Sequence, residues 1–191
     1  PIIADNRAEA LKEAVFTVIP GADASETFRP DDGDGFVPVR GESSSSDLIY
    51  AGYDEDGELA GVALTARGMG YADVITILYG YSFEEEAIVG MQVLESKETP
   101  GLGDKIEKDE AFKANFESLD VQLGPDGETV AHPIETVKQG EKTEPWQIDG
   151  ITGATISSVA IGDMLRASTK KWIPELEAHR ASFEQEASDH E

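Results

Sequence analysis

Cysteine is absent from the 191 residues, and with it go the chemistries it carries. Disulfides, thiol catalysis and Cys-ligated zinc or iron–sulfur clusters are excluded. Histidine is nearly as scarce. His132, His179 and His190 lie far apart and show no H-E-x-x-H spacing, which argues against a His-built metal site. Positive charge is also in short supply: 15 basic residues face 39 acidic ones, for a formal net charge of −24. A surface that negative repels nucleic-acid phosphates and anionic lipid headgroups, so neither is an expected partner. No apolar run approaches the roughly 18 residues of a membrane-spanning helix, and no secretory signal is visible. The acidic run at 31–35 lacks the spacing and distal Glu of a calcium loop, so it reads as a turn.

What is present fits one globular domain. The chain is 39% hydrophobic and 28% charged, long enough for a single core. Residues 4–19 pattern as an amphipathic helix, with Ala10, Leu11, Ala14, Val15 and Val18 on one face and Pro20-Gly21 as its stop. Residues 21–47 read as loop-rich. A strand meander follows: Leu48–Tyr53, a turn around Asp56-Gly57, Leu59–Thr65, Val74–Tyr81 and Ala87–Leu94. Strands in that sequential order predict an antiparallel sheet.

The next expectations are a helix over about 105–118 capped by Asp104, short strands near 119–123 and 129–137, and an extended segment at 146–148. The last element is a long helix over which Ile156, Val159, Ala160, Met164 and Ala167 recur at helical spacing, with Ile161, Leu165 and Trp172 widening the stripe. Pro174 is expected to kink or restart that helix. The fold class is therefore α+β: a mainly antiparallel sheet flanked by helices, with a long C-terminal helix. Its divisions are 1–20, 21–47, a core over 48–173, and a helix and tail over 174–191.

The chain is organised around Asp149-Gly150-Ile151-Thr152-Gly153-Ala154-Thr155-Ile156-Ser157-Ser158, a small-residue loop that opens the last helix. A helix start offers unpaired N–H groups and partial positive charge, which suit a phosphate. Gly153 and Ala154 keep bulk away, and Thr152, Thr155, Ser157 and Ser158 add hydroxyls. The plainer alternative is an ordinary helix start capped by Thr152 or Asp149.

The letters D-G-I-T-G-A-T resemble the site at which a flavin transferase attaches FMN to protein. The resemblance matches Asp149 to the acidic start, Thr152 to the first hydroxyl, Gly153 and Ala154 to the G-A pair, and Thr155 to the residue esterified by the FMN phosphate. A second stretch, Glu98-Thr99-Pro100-Gly101-Leu102-Gly103-Asp104-Lys105-Ile106-Glu107, is similar to the flavin-lining loop of FMN-bearing domains of the RnfG and NqrC type. Gly68-Met69-Gly70-Tyr71 loosely matches a glycine–tyrosine segment of the same family. The two stronger stretches lie about 50 residues apart, in the family's order.

That resemblance implies covalent FMN on Thr155, with Glu98, Thr99, Gly101, Leu102 and Gly103 forming the flavin slot. It implies an electron-carrying subunit of a membrane ion-translocating complex, of Rnf rather than Nqr type. Other subunits of the complex would be its partners, and a flavin transferase would act during maturation. The location implied is the extracytoplasmic face of the membrane, held by an upstream anchor. Three rivals stay open: an NqrC-like subunit, a free-standing extracytoplasmic flavin carrier, and a non-redox module that holds another anion. No nucleophile–base pair or dinucleotide fingerprint marks a self-contained enzyme.

Overall fold

The computed structural model describes residues 11–31, 35–39, 48–70, 73–96 and 104–184. Seven antiparallel strands form one sheet in the order β2-β1-β3-β4-β5-β6-β7. Its centre is the expected meander: β3 (Ile49–Tyr53), β4 (Leu59–Met69), β5 (Val74–Ser82) and β6 (Ala87–Glu95). The β3–β4 turn is tied by Asp54 Oδ1, which accepts from the Asp56 and Glu58 N–H groups at 2.9 and 3.0 Å.

Residues 21–47 are not simply loop. They contain β1 (Ala24–Pro30) and β2 (Phe36–Pro38), which extend the sheet beyond β3. Their turn closes through Asp31 N–H donating to Gly35 O at 2.9 Å. The apolar pattern that would mark these strands is thin, because their cover arrives from the far end of the chain. Phe183 is buried there, with its ring centroid 5.0 Å from that of Phe28 and 4.9 Å from that of Phe36. β7 is only Leu119–Asp120, paired to the start of β6.

Two helices cover opposite faces of the sheet. One, α1, is helical over residues 11–18 and packs Ala14, Val15, Val18 and Ile19 against Ala63 and Leu78. The other, α4 (Thr155–Ala178), packs on the face that carries Val62, Leu64, Ile77 and Tyr79. Alternation along β4 and β5 supplies both faces, as period-two geometry requires. Two β5 tyrosines fasten α4. The Tyr79 hydroxyl meets Ser168 Oγ at 2.6 Å, and the Tyr81 hydroxyl donates to Glu177 Oε1 at 2.6 Å. Burial pushes both phenols well above their ordinary range, and the Glu177 carboxylate adds to the rise at Tyr81.

Three expectations need correction. The segment 105–118 is not one helix but α2 (Lys105–Lys108), α3 (Glu110–Ala114) and a 3-10 turn over Asn115–Glu117. Asp109 breaks it by going extended, and Asp109, not Asp104, caps: its Oδ1 accepts from Phe112 N–H at 2.8 Å. Asp104 instead pairs with Lys108 at 3.0 Å and holds that ammonium above its usual range. Pro174 does not restart α4, which runs on to Ala178 across the expected boundary at 173. The amide bond that Pro174 lacks would have gone to the carbonyl of Lys170, an exposed residue. Finally, the expected strand over 129–137 shrinks to β8 (Glu135–Val137), which pairs in parallel with β9 (Gln147–Asp149) as a separate two-stranded sheet.

Candidate functional site

β9 delivers the chain into the loop, and almost every group around that entry is tied down. Asn115, buried at the end of α3, brackets Asp149: its Nδ2 donates to Asp149 O and its Oδ1 accepts from Asp149 N–H, both at 3.0 Å. The same amide donates to Phe112 O at 3.0 Å. The Asp149 carboxylate turns away from α4 and accepts from Gly140 N–H at 2.7 Å. Gly150 N–H donates to Val137 O at 2.9 Å, and Thr152 N–H donates to Gln139 Oε1 at 2.7 Å. Ser158, fully buried, accepts from Ile151 N–H at 3.1 Å and donates to Ala154 O at 2.8 Å. Ser157 is buried beside it.

The start of α4 is different. Ala154 occupies the N-cap position with no capping side chain, so neither Thr152 nor Asp149 serves as the cap. A helix start without a capping side chain still presents its partial positive charge to an anion. Thr155 is the first helical residue, and it is exposed. Gly153 has φ of +89°, a conformation that L side chains rarely adopt. The helix stripe also departs from the expected one. Ile156 and Val159 are 55% and 38% exposed, whereas Ser157 and Ser158 face the core together with the expected Ile161 and Leu165. Apolar side chains therefore stand open next to the Thr155 hydroxyl.

A cleft of about 430 Å³ adjoins this turn, with Thr136, Gln139, Ile151, Thr152, Thr155 and Val159 among its walls. Lys138 and Glu141 add one charge of each sign. Among the described residues, one buried side-chain polar atom lacks a partner, Thr136 Oγ1, and it belongs to this wall. No group of His, Cys, Asp or Glu suited to a metal ion occurs among the described residues.

The second expected stretch, Glu98, Thr99, Gly101, Leu102 and Gly103, lies outside the described residues, as does Tyr71. Its exit is described. Lys105, two residues after Gly103, places its ammonium 3.6 Å from where a Cβ on Gly153 would stand. The Lys105 side chain therefore reaches the T-G-A-T turn, and the Asn115 bracket fastens the end of α3 to β9.

The model of a family described as the FMN-binding domain matches residues 70–170. The chain belongs to that family. This FMN-binding domain is 32% identical over 167 residues to the G subunit of the ion-translocating oxidoreductase complex of Methanosarcina acetivorans, a match covering 85% of this chain and 74% of that one. The protein of the same name from Pectobacterium atrosepticum is 33% identical over 133 residues, covering 69% of this chain and 57% of the relative. Among solved structures, Shewanella oneidensis NqrC superposes with a TM-score of 0.70 at 16% identity, over 94% of this chain and all of that one. The C subunit of the Na(+)-translocating NADH-quinone reductase from Parabacteroides distasonis gives 0.64 at 19% identity, over 90% and 83%. Those two likenesses concern the fold.

The residues present suit an FMN phosphate. The donors are a helix turn without a capping side chain and an ammonium, a left-handed glycine stands two residues before the helix, and an exposed hydroxyl stands at the turn. Sequence reasoning missed Asn115 and Gln139, since neither belongs to the two stretches, and it gave no role to Lys105, which stands inside the second. The Asn115 bracket gives a direct prediction. Asn115→Ala strands the Asp149 N–H and C=O, and is expected to cost about 2 kcal/mol. A loss of less than about 0.5 kcal/mol, from the shift in urea midpoint multiplied by the m-value, would show the bracket to be idle.

Proposed function

We propose that this chain is an electron-transfer subunit of an ion-translocating oxidoreductase complex of Rnf type, carrying FMN as a phosphoester on Thr155. The reading is carried by one observation: in the T-G-A-T sequence of an FMN-binding domain, the last hydroxyl is exposed on an uncapped helix turn beside an open cleft. Attachment forms a bond between Thr155 Oγ1 and the flavin phosphorus. The flavin donor is a flavin dinucleotide: its pyrophosphate P–O bond breaks, the nucleoside monophosphate leaves with the hydroxyl proton, and the chain gains one FMN less one water.

FMN, once attached, supplies the one- and two-electron chemistry, and the protein supplies position and surroundings. The first-turn N–H groups of α4 receive the phosphate. Gly153 leaves room for it, and Asp149 and Gln139 hold the loop that presents Thr155. Ile156 and Val159 offer apolar surface to the flavin or to an electron partner. The ring slot assigned to 98–103 belongs to the resemblance alone.

A covalent tether makes the flavin independent of the free FMN concentration, which suits an extracytoplasmic site. That location, an upstream membrane anchor and a maturing flavin transferase are parts of the proposal. No helix among the described residues is long and apolar enough to cross a membrane. The other subunits of the complex are its electron partners. Co-expression with a flavin transferase tests the reading. The intact mass is expected to rise by one FMN less water, with flavin fluorescence surviving denaturing electrophoresis. An unmodified mass would overturn it. The free-standing carrier reading would be favoured by a flavinylated chain that co-purifies with no other subunit.

A further inference from the structure

We infer that Lys105 is the residue that pairs with the flavin phosphate and positions it. The inference rests on the flavin reading above and adds a residue that the attachment motif does not contain.

The charge pattern around α2 and α3 singles Lys105 out. Lys108 is paired with Asp104 at 3.0 Å and Lys113 with Glu110 at 3.6 Å. Lys142 donates to Asn115 Oδ1 at 3.3 Å. Lys105 makes no ion pair and no side-chain hydrogen bond among the described residues. Within this group of lysines, Lys105 is the one whose ammonium reaches a glycine turn rather than a side-chain oxygen.

The turn it reaches is the one before Thr155. Its Nζ stands 3.6 Å from a Cβ built on Gly153, so a side chain at 153 would touch the ammonium. A phosphodiester on Thr155 carries one full negative charge at neutral pH. The helix start answers it with only about half a unit of positive charge. Lys105 supplies the rest as a point charge with three donors. It is a positioning residue: it holds the phosphate and so sets where the ribityl chain begins.

The test is amine acetylation followed by peptide mass mapping, on the flavinylated wild-type chain and on flavin-free Thr155→Ala. Lys105 is expected to acetylate about tenfold more slowly in the flavinylated chain, as a charge-paired ammonium should. Exposed Lys170 serves as the internal standard and should not change. Equal rates overturn the inference. No Lys105 variant is needed for this comparison, so a folding defect cannot imitate the result.

Phosphorus NMR separates pairing from simple shielding by the flavin. In Lys105→Gln the phosphodiester resonance is expected to move, and in Lys105→Arg to return toward its wild-type position. A resonance that stays put in Lys105→Gln overturns the pairing even where acetylation is slowed. A wild-type chain that takes up no FMN overturns the flavin reading and this inference together. A flavinylated chain with an unprotected Lys105 overturns this inference alone.

Discussion

Thr155→Ala should yield a protein that folds as the parent does and carries no flavin. The substitution removes the one oxygen able to form the ester, so the expected loss of covalent FMN is complete rather than graded. Its effect on stability should be small. Thr155 is exposed, no hydrogen bond of its side chain holds the loop, and alanine is at ease in a first helical turn. A surface change of this kind is expected to shift stability by no more than about 0.5 kcal/mol. Thr152 should not take over as acceptor. Its N–H is fixed to Gln139, which sets that residue in the loop, while Thr155 lies on the helix. Thr155→Ser keeps the oxygen and should keep the flavin. The measurements are intact mass, in-gel flavin fluorescence and the thermal midpoint of the same three preparations. A full FMN adduct on Thr155→Ala would move the attachment elsewhere, and peptide mapping would say where.

The chain's letters disclosed its parts unevenly, for physical reasons. β3 to β6 were legible because hairpins are local: alternation and an Asp-Gly turn specify them within a few residues of each other. The T-G-A-T turn was legible because a modification site must carry its signal in one short stretch. β1 and β2 were not. Their cover is Phe183, about 150 residues away, and only Phe28 along β1 is buried. Asn115 and Gln139 escaped for the same reason, since each meets the loop only after the chain has folded back, and the role of Lys105, though its stretch was legible, shows only there too. The parallel β8–β9 pair escaped because local turns announce antiparallel neighbours, and this pair is joined by residues 138–146. The helix stripe was misjudged because Ile156 and Val159 are apolar yet exposed, beside a cofactor site where ordinary burial rules give way.

Gly80→Val should do the opposite of Thr155→Ala: damage the fold and spare the attachment chemistry. Gly80 pairs with Ala63 on one side and Gly90 on the other, so small residues line up across three strands under the end of α1. A Cβ on Gly80 would stand 2.0 Å from Val18 O, and one on Gly90 2.6 Å from the same atom. The obstacle is backbone, which cannot rotate away as a flexible side chain would. Replacing a strand glycine normally gains about 0.5–1 kcal/mol by restricting the unfolded chain. Overpacking costs about 1–3 kcal/mol where only side chains must yield, and here a helix end must lift. The net expectation is a loss of about 2–3 kcal/mol, or roughly 5–10 °C in the thermal midpoint for a chain of this size. Gly80→Ala should fall between the parent and Gly80→Val. The damage sits on the α1 face, whereas Thr155 and its cleft belong to α4 on the other face. Folded Gly80→Val should therefore accept FMN to the same stoichiometry as the parent. A variant that loses both stability and flavin would mean that the two faces of the sheet are not independent, and that α1 helps to shape the site from behind.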